Sequence, residues 1–560
     1  MLRSLLVSAA LLTPFGAQAQ GIAGPYLAAR IAGFSNDYVA ASEYYAQLIR
    51  RDDSNAQALE NAIIINSVLG DFEAAAAIAD DLEALDQRSQ FASGAKLVQA
   101  LVEERYDDAQ ALLDQEEGVG GALLDGLLGA WVAIAAGQTN DGLGQFDTLA
   151  ETESFAPFAW TQKAYALAMA GDFEGADEIL SGRAHGPLPA NVRVIEAHAR
   201  VLMQLDRRAD ALDLLGQAND AASAPILQDL QARIEAGDPV AYDVVTTPRD
   251  GLAEAYFTLA ILLADESSTT FTLLNARAAT TLRPDESDAL ILTAELLESQ
   301  GQHDLAASVL TEVSRDDPAF YGAEIARADV LLASDQEDAA IEVLRALSRS
   351  NADRKEVWSA YGDALRRVDR PADAVAAYDR AIELDGGDAS ENWFWFFARG
   401  TAHERQGDWT AAETDFRRAL ALNPDQPNVL NYLGYGLVEQ RESLDEALQL
   451  IEQAVEAQPN DGYITDSLGW ALYRLGRVEE AVEPMERAAM LEPLDPLIND
   501  HLGDVLWAVG RTREAEFQWR RALSLDPEEE VDRIRLKLEV GLDQVLEEEG
   551  GSDAVEAARD

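Results

Sequence analysis

Five histidines, His185, His198, His303, His403 and His501, are the side chains of this 560-residue chain best suited to metal binding or proton transfer. They are scattered one per segment with no second ligand at metal spacing. His-Glu-x-x-His does not occur, and with no cysteine there is no thiolate for a structural zinc site. Each histidine reads as a helix-surface or groove residue. The 101 aspartates and glutamates could supply acid and base pairs, but that abundance makes chance pairs certain and singles out none. Gly118-Val119-Gly120-Gly121 has the opening of a phosphate-cradling loop, yet no strand precedes it and no lysine follows where a P-loop needs one. It reads as a turn between helices. The residues therefore assign no catalytic, cofactor-binding or metal site, and no cofactor is expected.

Charge narrows the partners. The net charge is −58 and the pI about 4.2, a strongly negative field that repels phosphate backbones and anionic lipid headgroups, so nucleic acid is not an expected partner. The acidic runs Glu528-Glu529-Glu530 and Glu547-Glu548-Glu549 read as solvated helix ends or tail.

The N-terminus reads as a secretory signal peptide spanning residues 1–19. Arg3 precedes a mostly apolar run from Leu5 to Phe15, and Ala17-Gln18-Ala19 gives a small-x-small cleavage site before Gln20. The run is shorter than the ~20 residues a spanning helix needs, and no other stretch is long and apolar enough to cross a membrane. Cleavage removes Arg3 and no acid, so the net charge goes from −58 to −59. Lacking cysteine, the chain offers no lipid-modified residue for an anchor. A periplasmic or secreted protein is the expectation.

The elements that would position any site follow from a ruler. Alanine recurs at Ala306, Ala340, Ala374, Ala412, Ala447, Ala481 and Ala515, at steps of 34, 34, 38, 35, 34 and 34 residues. Each lies in the same frame of apolar residues at three- and four-residue spacing, as in Leu468, Leu472 and Leu475 followed by Val478, Ala481, Met485 and Ala488, which marks two amphipathic helices. Gly362, Gly400, Gly434, Gly469 and Gly503 stand at the eighth position of the first helix, where two backbones approach. Gly301, Gly407, Gly476 and Gly510 end first helices, and Pro284, Pro318, Pro424, Pro459, Pro493 and Pro527 stop second helices. A weaker frame continues upstream through Ala41, Ala75, Ala109, Ala176 and Ala211, with one unit around Trp131 and Gly137.

The spacing predicts an all-α solenoid. Residues 20–236 form a degenerate N-terminal array and 252–527 a C-terminal array, with 528–560 a capping helix, Val531 to Leu546, and an acidic tail that looks disordered from Glu547. Residues 237–251, rich in proline, glycine and β-branched residues, break the ruler as an irregular linker between domains or as a long loop within one superhelix. Each hairpin is expected to touch only its neighbours.

Trp358, Tyr361, Gly362 and Leu365 followed by Ala374, Tyr378 and Ala381 resemble the tetratricopeptide repeat. That resemblance implies a right-handed superhelix of about 14 hairpins whose first helices line a concave groove through their second, fifth, ninth and twelfth positions. Carried onto this chain, it nominates Asn431 and Tyr435, then Asp466, Trp470 and Tyr473, then Asp500, Asp504 and Trp507, with Arg366, Arg367, Phe397, Thr401 and Glu404 upstream. Aromatics beside fixed polar groups suit a peptide-binding groove; the alternative is packing between adjacent first helices. The reading favours groove lining for Trp470, Tyr473 and Trp507.

The words Asn431-Tyr432-Leu433-Gly434-Tyr435, Asp466-Ser467-Leu468-Gly469-Trp470 and Asp500-His501-Leu502-Gly503-Asp504 are also similar to a family of exported proteobacterial repeat proteins. It includes lipoprotein adaptors that present cell-wall hydrolases to a periplasmic carboxy-terminal processing protease. The resemblance implies a non-enzymatic scaffold for proteins or peptide segments, with that protease and those hydrolases as partners. The other readings are an assembly factor for outer-membrane or secretion complexes and, in a different class, a cell-wall or polysaccharide enzyme whose site is not visible.

Overall fold

The computed structural model describes residues 23–549 apart from 116–117, 219–223, 265–268, 387–391 and 528–529. The expected leader and residues 550–560 of the tail lie outside them. Among the described residues the regular elements are α-helices, 31 in all, and no strand occurs. The chain divides into two compact units between Gln336 and Glu337.

The ruler marks the closest helix contacts. Ala306, Ala340, Ala374, Ala412, Ala447, Ala481 and Ala515 are all fully buried, as are Ala41, Ala75, Ala109, Ala176 and Ala211 upstream. At the eighth position the paired helix leaves no room for a side chain: a Cβ on Gly469 would stand 2.2 Å from Met485 Sδ, and one on Gly503 2.4 Å from the Trp519 ring. The turn after each first helix needs a left-handed residue. Gly476 (φ 76°) and Gly510 (φ 81°) supply it, and where glycine is missing another residue takes the angle, as at Asp369 (φ 53°) and Arg441 (φ 56°).

In the first unit six hairpins follow one another from Ala23 to Gly216. Their stacking is not limited to neighbours. Helix Pro248–Ala264 packs on Ala122–Ala135 and Ala156–Met169, and Thr269–Leu282 packs on Ala56–Val68 and Gln90–Val102. The array thus folds round on later helices, which bury faces a simple solenoid leaves to solvent. Fully buried Trp131 shows why this docking is tight: a Cβ on Gly251 would lie 2.4 Å from its ring. Residues 237–251 lie inside this unit. Val244 and Val245 are buried in its core, the Val244 carbonyl accepts from Arg283 Nη1 (2.6 Å), and the next helix already starts at Pro248.

The second unit stacks five hairpins, from Lys355–Arg367 with Pro371–Asp385 to Pro496–Ala508 with Thr512–Ser524, after a leading helix Glu337–Ser350. The expected single capping helix is two, Val531–Val540 and Leu542–Glu548, broken at Gly541 (φ 84°), whose missing side chain leaves room for Trp507. Order continues past the expected start of the tail, where Glu549 accepts from Arg533 Nε at 2.9 Å.

Candidate functional site

The first helices of the second unit carry the nominated residues, and stacking decides which of them reach solvent. With Gly469 and Gly503 as eighth positions, His501 is the sixth residue of its helix. It hydrogen-bonds through Nδ1 to Asp466 (3.0 Å), the fifth residue of the preceding first helix, and stacks on Trp470, the ninth, with ring centroids 4.0 Å apart. Trp470 donates from Nε1 to Glu439 at the end of the preceding first helix, Pro427–Glu439 (2.9 Å), and stacks on Tyr473 at 5.0 Å. Asp466, Trp470 and Tyr473 are consequently buried, contrary to the groove reading. Adjacent first helices pack so closely that the fifth and ninth positions of one meet the sixth position of the next rather than an open channel.

The same correction applies to the last hairpin. Asp500 and Asp504 are each 1% exposed. Both accept from Lys537 Nζ, at 2.7 and 2.8 Å, and Asp504 also accepts from Trp519 Nε1 at 2.9 Å. Lys537 is itself buried, so helix Val531–Val540 stands where a following first helix would stand and seals this end. Burial and the neighbouring Asp504 charge push the Asp500 carboxyl up to about 6. Burial opposes charge on His501, but Asp466, Asp500 and Asp504 more than offset it and hold its pKa above the ordinary value. These are structural ion pairs, and His501 is a core residue rather than a surface one.

The other nominated residues are more accessible. Trp507 is half-buried against Trp519, ring centroids 5.3 Å apart. Phe397, Asn431 and Tyr435 are half-buried, and the Asn431 Oδ1 has no hydrogen-bond partner among the described residues. Arg366 is half-buried near the Tyr378 hydroxyl and Asp363, while Arg367 is exposed. Thr401 is buried and returns its hydroxyl to the Ala398 carbonyl; Glu404 is half-buried, which raises its pKa.

Sequence reasoning passed over the second position. There stand Phe394, Asn428, Tyr463 and Leu497 in four consecutive first helices, all exposed, the three large apolar ones at 38%, 57% and 48%. Equivalent positions of stacked hairpins share one side of the array, and Phe394 connects through half-buried Phe397 (6.4 Å) to exposed Tyr432 (5.2 Å). The signal was available, because the second position belongs to the same repeat frame.

Elsewhere, the glycine turn at 118–121 is closed by Asp125, whose carboxylate accepts from the amides of Val119 and Gly120, so an internal side chain takes the donors a phosphate would need. His198 is bonded to Asp177 at 2.9 Å and His185 stacks on Trp160. Among the described residues no cluster of histidines and carboxylates suited to a metal occurs, and no helix is long and apolar enough to cross a membrane.

Tetratricopeptide repeat family models match residues 26–89, 297–364 and 380–527. The chain is 29% identical over 160 residues to a TPR repeat-containing protein of Pseudomonas aeruginosa, an alignment covering 28% of this chain and 26% of that protein. It thus spans about a quarter of the relative's length. Among solved structures it resembles a chain of the APC/C hetero-tetramer Cut9-Hcn1 (16% identity, TM-score 0.39, covering 94% of this chain and 97% of that one). YrrB, a TPR protein with an unusual peptide-binding site, matches at 22% identity and TM-score 0.28 over 35% of this chain and 100% of its own. A tetratricopeptide repeat protein from Parabacteroides merdae matches at 15% and 0.38 over 46% and 98%.

Proposed function

We propose that this chain, which carries tetratricopeptide repeats, is an exported periplasmic scaffold that binds protein segments and brings them near a second protein without doing chemistry on them. The observation that carries this reading is the row of exposed large side chains, Phe394, Tyr463 and Leu497, at one position of the stacked first helices. An apolar row of this kind beside half-buried aromatics gives a partner anchors to bury. The acidic chain favours basic or amide-rich partner segments and faster association at low salt. The finer proposal is an adaptor between a carboxy-terminal processing protease and cell-wall hydrolases, supported by the similarity of the segments around Gly434, Gly469 and Gly503.

Capture from envelope extract tests the binding face. The triple variant Phe394→Ala, Tyr463→Ala, Leu497→Ala truncates partly exposed side chains and leaves the fully buried core intact, so helical content should be largely kept while capture of the main partner drops at least about tenfold. Equal yield from a folded triple variant would remove this face from consideration. Localisation has its own test: mass spectrometry of the periplasmic fraction should find a chain starting at or near Gln20, and recovery of full-length protein in the cytoplasm alone would overturn export.

A further inference from the structure

The first unit carries a cleft of about 480 Å³, open to solvent on one side and within the ~300–1,000 Å³ range typical of small-molecule sites. Its walls are mostly apolar, with Phe158, Val192, Ile226 and Phe257 lining the interior, and Ile261 and Leu262 are exposed at 54% and 40%. Most of its polar lining is already occupied. Gln162 accepts from Trp131 Nε1 (2.8 Å) and donates to Thr258 (3.2 Å), Thr161 donates to the Pro157 carbonyl (2.9 Å), and Asn191 accepts from the Val194 amide (2.9 Å). Arg193 is held by Glu254 (2.8 Å from Nε), Glu286 (2.7 Å) and Glu196 (3.4 Å).

Two lining groups lack a hydrogen-bond partner among the described residues. They are the half-buried Asp288 carboxylate and the Tyr165 hydroxyl, whose side chain is 2% exposed. Both oxygens can accept. Behind them the ion cluster leans negative: Glu196, Glu254, Glu286 and Asp243 are paired with Arg193, Arg200 and Arg283, leaving carboxylates in excess even before Asp288 is counted. A guest here therefore gains by bringing a cation with N–H donors and an apolar body. An extended peptide backbone would find few free partners for its own amides and carbonyls.

We infer that this cavity is a binding site for a small apolar organic cation, its ammonium group hydrogen-bonded by Asp288 and Tyr165 and its hydrocarbon or aromatic body against Phe158, Ile226 and Phe257. Burial, with Glu286 and Glu196 nearby and Arg193 in opposition, pushes the Asp288 carboxyl up to about 6, so it is largely ionised at neutral pH and a bound cation would hold it so. The site is independent of the protein-binding reading, which rests on residues of the second unit.

Calorimetric titration of the full chain with 4-phenylbutylamine and with 4-phenylbutyrate tests the assignment. The amine should bind and the carboxylate should not, and Asp288→Asn, nearly identical in volume, should weaken the amine by at least about tenfold. Tyr165→Phe removes the second acceptor alone and should cost a few-fold, which keeps the test decisive if the Asp288 variant does not fold. No amine binding at millimolar concentration, equal binding of the two probes, or full affinity in folded Asp288→Asn would overturn the site. Acetyl-Phe-Lys-amide binding about a hundredfold more tightly than the amine would replace it with a peptide site.

Discussion

Lys537 is the most informative single perturbation in the second unit. Its ammonium is wholly buried and lies 2.7 Å from Asp500 and 2.8 Å from Asp504, two carboxylates that are themselves 1% exposed. Lys537→Met keeps most of the aliphatic stem and deletes the charge, leaving two buried anions facing each other. Breaking a buried pair in this way costs ~3–5 kcal/mol. Arg533, at 3.9 and 3.8 Å from the same carboxylates and 30% exposed, can take up part of the charge, so the lower end, about 3 kcal/mol, is expected. Hydrogen exchange is the right assay, since a chain of two units need not unfold in one step and local opening reports this end directly. Amides of helix Pro496–Ala508 should lose protection by about two orders of magnitude, and adding Asp500→Asn with Asp504→Asn should restore most of it. The pH sign is fixed by the folded-state shifts. Asp500 is raised to about 6, so its burial costs stability as pH rises from the ordinary aspartate value through 6; His501 is also raised, so its contribution is present below its ordinary value and lost as pH rises through the folded one. Both make the wild-type end more protected near pH 5 than at pH 8, and the Lys537→Met defect should shrink on acidification as a carboxylate takes a proton. A loss under about 1 kcal/mol, or one insensitive to pH, would mean that the three groups do not share a buried charge system.

Other expectations follow from the packing. Gly469→Leu must displace Met485, whose Sδ would lie 2.2 Å from the new Cβ, and should cost about 1–3 kcal/mol by denaturation; an unchanged midpoint would misplace the helix contact. Trp470→Ala removes a buried ring stacked on His501 and Tyr473 and should cost about 3–5 kcal/mol, so any accompanying loss of partner capture would report unfolding rather than a lost anchor. If that variant keeps wild-type stability, Trp470 is a surface residue after all.

The contrast between Ala481 and Trp470 shows what was legible in the sequence. A small residue repeated at a fixed step has few reasons to exist other than close backbone approach, so the ruler alanines and the glycines at the eighth positions identified the hairpin contacts directly, and every ruler alanine is buried. A tryptophan on the same helix has two uses, in a groove or between helices, and its type does not distinguish them. What decides is the partner across the stack. His501 at position six of the following helix meets both Asp466 and Trp470, and this hydrogen bond and ring stack make sense only if those helices touch along that line. Lys537 carried a comparable hint, since it falls three residues after buried Ile534 on the apolar face of its helix, where an unpaired ammonium would be costly. The folding back of the first unit left no such mark. Arg277 donates to the Val68 carbonyl across more than two hundred residues, and Gly251 opens space for Trp131. Neither pairing is periodic, and a repeat pattern describes only what each hairpin shares with its neighbours. The cavity with Asp288 is a product of that non-periodic closure. The proposed cation site lies where the repeat stops dictating contacts, whereas the exposed row at the second positions follows from the repeat frame itself.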